Sequence, residues 1–297
     1  MPRHATEYDH DVLVVGGGPA GCSAGVFTSR YGLDTVLFDR GRSSIKRCAF
    51  LENFPGFPGG VDIETLYGLL HDHAEAAGCS IVDDHVESVE RAVDGDGFVV
   101  TPADGSQRTA RRVVAATRYG GEYLRPLDGD AMFHVRGHGG EERFDKSYAD
   151  SDGTTPVDGL FIASPYGETG YQATMAAGRG ARVGITLVEH VRRERGYPDP
   201  LANYYDWRRR EASLDDGDLE SWREWFHDRL PDDHGLDDDR LADLCERDLS
   251  RRRETYLSED EVDRRTERAH DRLLDHVDDD RILAAARDIE ADRRSSE

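Results

Sequence analysis

The chain has 297 residues, of which 37% are hydrophobic, and its 61 acidic and 38 basic side chains give a net charge of −23. So acidic a surface repels phosphate groups, which excludes nucleic acid and anionic membranes as partners. Met1–His10 is polar and no apolar run is long enough to span a bilayer, so we expect a cytoplasmic protein with no membrane partner.

Acidic residues are spread over the whole chain rather than gathered in one segment. They could form a partner-binding feature or reflect adaptation to high salt. The even spread favours the second explanation, and the composition resembles that of proteins from extreme halophiles. The four cysteines form no Cys-x-x-Cys pair, and the histidines are scattered without the spacing of metal ligands, so we predict no metal site.

The first predicted elements form one compact unit. Asp11–Val15 is a valine-rich run typical of a buried strand, and it leads directly into the glycine-rich turn Gly16–Gly21. Small residues over Cys22–Arg30 predict a tightly packed helix, and the β-branched run Thr35–Phe38 predicts a second strand. Together these elements indicate a Rossmann βαβ unit and therefore an α/β fold with a parallel sheet.

Further elements extend this Rossmann-type domain, which we expect to cover residues 8–196. A loop rich in turn formers at 52–60 precedes Ile63–Ala77, which has helical periodicity. Alternating patterns predict a small antiparallel β element, and later segments predict a buried strand and a helix with a face of small residues. These segments are Ser80–Val89, Gly97–Pro102 and Arg111–Ala116 for the β element, then Asp158–Ser164 and Gln172–His190.

From Pro198 onward the sequence is densely charged and almost free of glycine. Apolar stripes at helical spacing predict three or four helices over 198–297, packed on each other or on the first domain. Ser258 and Glu261 have the spacing of a capping box at the start of one of these helices. The stripes are Trp222, Trp225 and Phe226; Leu241, Leu244 and Leu249; Val262, Ala269 and Leu273; and Ile282, Leu283, Ala286 and Ile289.

The glycine turn predicts a dinucleotide-binding site. Gly16 permits the tight turn, Gly18 leaves room for a pyrophosphate, and Gly21 lets the helix pack close to the strand. The start of the helix favours an anion, because its free N–H groups and its dipole attract negative charge. Asp39 ends the second strand, 23 residues after Gly16, where an acidic side chain binds ribose hydroxyls. A carboxylate there disfavours NADP, although Arg40 could offset its charge.

Six short motifs spread over roughly residues 10–190 match one known family together. They are Gly16–Gly21, Glu52–Pro58, Asp84–Val86, Ala116-Thr117 with Tyr123-Leu124, Gly159–Ala163 and Tyr171–Ala173. Over this range the chain resembles the thioredoxin reductase-like class of flavoproteins, which have two dinucleotide-binding domains. The resemblance implies FAD as the cofactor.

The resemblance also implies which residues bind the cofactor. The helix that begins at Gln172 would face the pyrimidine edge of the flavin, where its dipole favours negative charge on the reduced ring. The implied residues are Gly16, Gly18, Pro19, Ala20 and Gly21 at the pyrophosphate, Asp39 and Arg40 at the ribose, Val86 at the adenine, Asn53 near the flavin, and Thr117, Ser164, Gln172 and Ala173 along the rest of the cofactor.

Four departures from the family pattern limit what the resemblance implies. Where the family has a nicotinamide domain of on the order of 100 residues, this chain has the short segment 126–157. The redox Cys-x-x-Cys is absent, Arg118 replaces a glycine, and Ser164-Pro165 replaces a Gly-Asp pair that binds the ribityl and pyrophosphate region. We therefore expect no built-in NAD(P)H domain and no thioredoxin reduction by the usual route.

The catalytic residues stay unknown from the sequence, with Cys48 and His138 as candidates. Cys48 lies near where related disulfide reductases carry their first redox cysteine, and Lys46 and Arg47 favour a thiolate, but it could equally be an ordinary loop cysteine. His134 and His138 lie in the segment that replaces the nicotinamide domain. They could act as acid or base at the flavin or be solvated loop residues.

Three hypotheses about function therefore stay open. The first is an FAD-dependent oxidoreductase whose flavin is reduced by a small substrate or by a separate electron-donor protein. The second is a non-catalytic regulatory or interaction protein that keeps the nucleotide as a structural ligand, and the third is an NAD-binding protein with one Rossmann domain. In the first case the C-terminal helices could cover the exposed flavin face, form a homodimer or dock the donor.

Overall fold

A computed structural model describes residues 8–93, 95–118, 120–136, 141–167, 172–211 and 218–296. The chain divides into two compact units, Met1–Glu194 and Arg195–Glu297. No helix in these described ranges is long and apolar enough to cross a membrane.

The first unit alternates strands and helices, with short 3₁₀ turns between some of them. In chain order its elements are β1 (His10–Val15), α1 (Pro19–Tyr31), β2 (Thr35–Phe38), β3 (Phe50–Leu51), β4 (Val61–Asp62), α2 (Ile63–Ala76), β5 (Ser80–Val82), β6 (Val86–Arg91), β7 (Phe98–Pro102), β8 (Arg108–Ala116), α3 (Arg125–Asp128), β9 (Phe133–Arg136), β10 (Glu141–Phe144), β11 (Leu160–Ser164) and α4 (Ala173–Glu194).

One seven-stranded mixed sheet forms the centre of this unit, in the order β5-β2-β1-β8-β7-β6, with β11 also paired to β8. β5, β2, β1, β8 and β11 run parallel, whereas β6 and β7 run antiparallel to their neighbours. β8 changes partner along its length, because Arg108–Ala110 pair with β7 and Val113–Ala116 pair with β11. This architecture confirms the predicted α/β class with a parallel sheet and a small antiparallel element.

The parallel strands are buried throughout. All four residues of β2 and the last four of β1 are buried, which explains why both read as continuous apolar runs rather than alternating ones. Helices α1 and α4 pack against each other and against the sheet. Their contact is close because α4 carries glycines, and a Cβ on Gly180 would lie 1.9 Å from the Ala20 carbonyl oxygen.

The carboxyl ends of the parallel strands meet at one edge of the sheet. β1 ends at Val15, β2 at Phe38, β8 at Ala116 and β11 at Ser164. In open α/β sheets the crevice outside these ends is where ligands bind. The predicted glycine turn, Asp39, Thr117 and Ser164 therefore all lie along that edge.

The segment 126–157, which has no strong periodicity in sequence, contains an antiparallel hairpin of β9 and β10. Its buried residues Met132, Phe133 and Phe144 belong to the main core cluster of the first unit, and the two phenylalanine rings meet edge to face at 5.6 Å. The sequence did not predict this hairpin because the surrounding segment is polar and glycine-rich and has no strong period.

The second unit is mainly helical, as predicted. Glu261 donates its backbone N–H to Ser258 Oγ at 3.3 Å, so the predicted N-cap is present. The elements are α5 (Asp199–Ala202), β12 (Arg209–Arg210), α6 (Asp218–Asp228), α7 (Asp238–Arg253), β13 (Tyr256–Leu257), α8 (Glu259–Leu274) and α9 (Asp279–Ser296).

The core of the second unit lies between α6 and α7. It consists of Tyr197, Leu201, Phe226, Leu244, Cys245 and Leu249. Trp222 and Trp225 are partly buried against it, with their rings stacked 4.0 Å apart. The aromatic stripe of α6 therefore belongs to the core of the second unit, as the sequence predicts.

The expectation that every C-terminal stripe packs was wrong for α8 and α9. Neither helix has a buried residue, and Leu273, Leu283 and Ile289 are each about half exposed. Only four of the sixteen residues of α8 are apolar, so its stripe is too narrow to bury much area. Four of the seven apolar residues of α9 are alanines, which offer little area to bury.

Candidate functional site

A cavity of about 440 Å³ opens at the carboxyl edge of the parallel strands. It is lined by the glycine turn, the end of β2 with the turn that follows it, the start of β6, the residues after β8 and the start of α4. Eleven of the thirteen residues predicted to bind the cofactor line it, namely Gly16, Gly18, Pro19, Ala20, Asp39, Arg40, Val86, Thr117, Ser164, Gln172 and Ala173.

Gly21 and Asn53 do not line this cavity. A Cβ on Gly21 would lie 1.7 Å from the Gly16 carbonyl oxygen, so a glycine there lets α1 pack against the turn. Asn53 donates from Nδ2 to Gln172 Oε1 at 3.1 Å and accepts at its carbonyl from Thr174 Oγ1 at 3.4 Å. Asn53 thus ties the loop before α2 to the start of α4.

At each glycine of the turn, a different steric constraint explains why a larger residue would not fit. Gly16 has a φ of 115°, in the region that favours glycine. A Cβ on Gly18 would lie 2.7 Å from Ser43 Oγ, so a side chain at Gly18 would crowd the Ser43 hydroxyl. A Cβ on Gly17 would lie 2.4 Å from Asp39 Cβ. Sequence reasoning missed Gly17, because the motif leaves its position variable.

Asp39 is 5% exposed and already has protein partners. Its Oδ1 accepts from the Gly41 N–H at 3.1 Å, and its Oδ2 accepts a short hydrogen bond from the Tyr67 hydroxyl. Burial, together with the adjacent Asp39 carboxylate, raises the pKa of Tyr67 far above its usual value. Tyr67 therefore keeps its proton and acts as a donor.

The Gly17 carbonyl oxygen accepts two hydrogen bonds from side chains. His71 Nε2 lies 3.0 Å from it and Cys22 Sγ lies 3.4 Å from it. His71 Nε2 is also 3.5 Å from Asp39 Oδ2, and because both neighbours are acceptors this nitrogen carries the proton. Burial raises the pKa of the Cys22 thiol far above its usual value, so it stays a donor.

Sequence reasoning missed Tyr67 and His71 as residues of this site. The histidines are scattered in sequence, but His71 is half-buried against the glycine turn. The available signal was their spacing of four residues on α2, which puts the two rings on one helix face, 4.5 Å apart.

Three arginines line the cavity, Arg40, Arg42 and Arg118. Arg118, which departs from the family pattern, donates from Nη1 to Ser44 Oγ at 3.2 Å. Guanidinium groups beside the start of a helix suit a phosphate-bearing ligand, because both favour negative charge. Arg118 thus adds a positive charge to the cavity.

Of the candidate catalytic residues, Cys48 lines the cavity and is exposed. Lys46 lies over the Tyr67 ring, with its ammonium 4.2 Å from the ring centroid. His134 is on β9 and does not line the cavity, and His138 lies outside the described residues. Among the residues that the structure describes, no three His, Cys, Asp or Glu side chains are grouped as metal ligands would be.

Residues 9–48 match the family of FAD binding domains. The thioredoxin reductase of Bacillus subtilis (strain 168) is 33% identical over 116 residues, which cover 38% of this chain and 35% of that protein. The thioredoxin reductase of Streptomyces clavuligerus is 31% identical over 110 residues, or 36% of this chain and 34% of that protein. The chain thus spans about a third of the length of the curated relatives it matches.

Solved structures show the same fold. A thioredoxin reductase from Gloeobacter violaceus superposes with a TM-score of 0.51 at 17% identity, covering 68% of this chain and 99% of that one. The atypical thioredoxin reductase TRi from Desulfovibrio vulgaris Hildenborough superposes with a TM-score of 0.50 at 16% identity, covering 62% and 98%. At 16–17% identity, the similarity to these structures supports the fold of this chain and nothing further.

Proposed function

We propose that this chain, with its thioredoxin reductase-like FAD-binding domain, is an FAD-dependent oxidoreductase whose flavin is reduced by a small substrate or a separate donor protein. The observation that carries the proposal is the single cavity lined by both the glycine turn and the start of α4. An extended dinucleotide needs contacts at both ends, and a mononucleotide site would need only one of them.

The residues present fit FAD. The turn offers the N–H groups at the start of α1 and a surface free of Cβ atoms for the pyrophosphate, and Asp39 offers a carboxylate for the ribose. At the other end, Gln172 and Ala173 present the start of α4, which favours negative charge. When bound, the flavin supplies hydride or single-electron transfer.

The segment between β8 and β11 supports an external electron donor. Its described residues form α3, short 3₁₀ turns and the β9–β10 hairpin, with no second strand–turn–helix–strand unit among them. The sequence also has no Cys-x-x-Cys pair. We propose that segment 126–157 stands in place of a nicotinamide domain, within a cofactor domain of residues 8–196.

Absorption spectroscopy tests the cofactor assignment directly. The full chain, purified in high salt, is expected to show a flavin spectrum and to release FAD on denaturation. Gly18→Val should abolish cofactor retention, because its side chain would occupy the pyrophosphate position beside Ser43, whereas Gly59→Val should retain it because no atom lies within 4 Å of a Cβ there. A colourless wild-type protein that takes up no added FAD would contradict the proposal.

A non-catalytic nucleotide-binding protein is the second candidate, favoured by Ser164-Pro165 in place of the family's Gly-Asp pair. Stopped-flow spectroscopy separates the two candidates. An oxidoreductase is expected to be reduced by a chemical or protein donor and reoxidised by an acceptor over many cycles. A flavin that is reduced only once and not reoxidised supports the second candidate, and bound NAD in place of FAD would support a single-domain NAD-binding protein.

We propose Cys48 as the thiol of the site, since it is exposed at the cavity while Cys22, Cys79 and Cys245 are buried. A thiol reagent should therefore label one cysteine in the folded chain, and bound FAD should slow that labelling. Labelling that FAD does not slow would contradict a place for Cys48 beside the cofactor.

Homodimer formation through α8 and α9 is a further part of the proposal, because both helices leave their apolar stripes exposed. Sedimentation velocity is expected to show a dimer that Leu273→Glu and Ile289→Glu dissociate. A cytoplasmic location and adaptation to high salt stay predictions from composition.

A further inference from the structure

We infer that Tyr67 and His71, which we call the α2 clamp, hold the phosphate-binding peptide and the ribose acceptor in place before any nucleotide binds. The inference rests on the proposed dinucleotide site and adds two positioning residues to it. Both side chains come from one face of α2, and they reach two different parts of the site.

The first contact orients the Gly17–Gly18 peptide. The Gly17 carbonyl oxygen has two lone pairs, and it accepts from both His71 Nε2 at 3.0 Å and Cys22 Sγ at 3.4 Å. A trans peptide directs its N–H opposite to its carbonyl. The Gly18 N–H is therefore directed away from His71 and Cys22, and Gly18 lines the cavity in which the phosphate would lie.

The second contact orients the Asp39 carboxylate. Its Oδ2 accepts from the Tyr67 hydroxyl and lies 3.5 Å from His71 Nε2, so that oxygen is occupied by protein donors. Its Oδ1 accepts from the Gly41 N–H at 3.1 Å and keeps one lone pair for a ligand. The clamp therefore leaves Oδ1, and not Oδ2, available to accept from a ribose hydroxyl.

The surroundings hold the clamp itself rigid. Tyr67 is buried and packs with Ile45, Val61, Ile63 and Leu66 in a separate core cluster. Lys46 covers one part of its ring and His71 another. A donor held in this way loses little freedom when a ligand arrives, so the site is pre-organised and loss of the donor should weaken binding.

Calorimetric titration of the full, nucleotide-free chain with ADP tests the inference, because ADP carries the adenosine ribose and the pyrophosphate without the flavin. Tyr67→Phe removes one hydroxyl and keeps the ring, and we expect it to weaken ADP binding about tenfold, the scale of one hydrogen bond to a charged group. It should also shrink the penalty for replacing ADP with 2′,3′-dideoxy-ADP, because the ribose acceptor is no longer oriented.

His71→Ala is expected to weaken ADP binding by a similar factor, and His71→Gln to recover part of it, since an amide can still donate to the Gly17 carbonyl. The matched control is His73→Ala, two residues along the same helix and exposed. All variants should keep the unfolding temperature of the wild type within a few degrees.

The outcomes separate this inference from the proposed function. A wild-type chain that binds neither ADP nor FAD overturns the dinucleotide site itself. A wild-type chain that binds both, with Tyr67→Phe and His71→Ala showing unchanged ADP affinity and an unchanged dideoxy penalty, overturns the clamp alone. Equal weakening by His73→Ala would also overturn it, because the effect would then be general to the helix.

Discussion

At the scale of single residues, the site depends on how closely the glycine turn and Asp39 approach each other. Gly17 packs against the Asp39 side chain, and the carbonyl of Gly17 and the carboxylate of Asp39 share His71 as a neighbour. Asp39, which the motif predicts, therefore packs against Gly17, a position that the motif leaves variable. A side chain at Gly17 should therefore displace Asp39, the residue that we propose as the ribose acceptor.

Gly17→Ala tests this contact. Its Cβ would lie 2.4 Å from Asp39 Cβ and 2.9 Å from Asp39 Oδ2, so the carboxylate has to shift. We expect FAD affinity to fall about tenfold, since one charged hydrogen bond would be lost, and the free energy of unfolding to fall by about 1–3 kcal/mol from overpacking. Gly59→Ala is the control, because no atom lies within 4 Å of its Cβ. Equal affinities in the two variants would refute the contact's importance.

At the scale of elements, α4 connects the sheet to the end of the cavity where we propose that the flavin binds. It packs on α1 through Gly180 and Gly184, and its first residues line the cavity. The small-residue face that we recognised in the sequence is what permits this approach. The position of the start of α4 therefore depends on a helix–helix contact in the middle of α4.

Two glycines of α4 make a matched pair for testing that contact. Gly180→Ala would place a Cβ 1.9 Å from the Ala20 carbonyl oxygen, whereas Gly178→Ala would meet no atom within 4 Å. We expect Gly180→Ala to destabilise the fold by about 1–3 kcal/mol and to weaken FAD retention. Gly178→Ala should stabilise it by about 0.5–1 kcal/mol, because alanine is the better helix former. Chemical denaturation measures both, and similar effects of the two changes would contradict the close contact.

The N-cap of α2 provides a pH-dependent test of the helix that carries the clamp. Asp62 Oδ1 accepts from the Thr65 N–H at 2.9 Å, and this hydrogen bond lowers the pKa of Asp62. A lowered pKa means that the stabilisation is complete above the unfolded value, about 4, and is lost as pH falls through the folded value.

Asp62→Ala should therefore cost about 1 kcal/mol at neutral pH, and its difference from wild type should shrink as the pH falls below about 4. Asp62→Asn, a cap that does not titrate, should stay close to wild type at neutral pH and should not share this pH dependence. Thermal unfolding across this pH range measures both. A difference between Asp62→Ala and wild type that stays constant with pH would show that the negative charge of Asp62 adds nothing to its capping hydrogen bond.

At the scale of the whole molecule, the net charge of −23 dominates. Self-repulsion among carboxylates opposes compaction unless salt screens it. Salt bridges of the described surface, such as Arg223 with Glu246 and Arg294 with Glu290, are exposed and contribute little. Stability should therefore respond to salt through general screening rather than through particular pairs.

Raising KCl from about 0.1 M to about 1 M shortens the Debye length from about 10 Å to about 3 Å, and we expect the unfolding temperature to rise strongly over this range. Sucrose at matched osmolality is the control, because it is excluded from the surface without screening charge. Equal unfolding temperatures at low and high salt would contradict the hypothesis that the composition reflects adaptation to high salt.

The sequence by itself determined the βαβ unit, the acidic end of β2 and the helical character of residues 198–297. These follow from local periodicity, glycine geometry and turn chemistry, all of which are readable within a few residues. The tertiary structure decided that Tyr67 and His71 reach Asp39 and Gly17, that β9 and β10 form a hairpin, and that the stripes of α8 and α9 stay exposed. The contacts of Tyr67 and His71 depend on which distant surfaces meet, and local pattern carries no information about that. The hairpin and the exposed stripes involve segments whose own patterns are too weak to specify their packing.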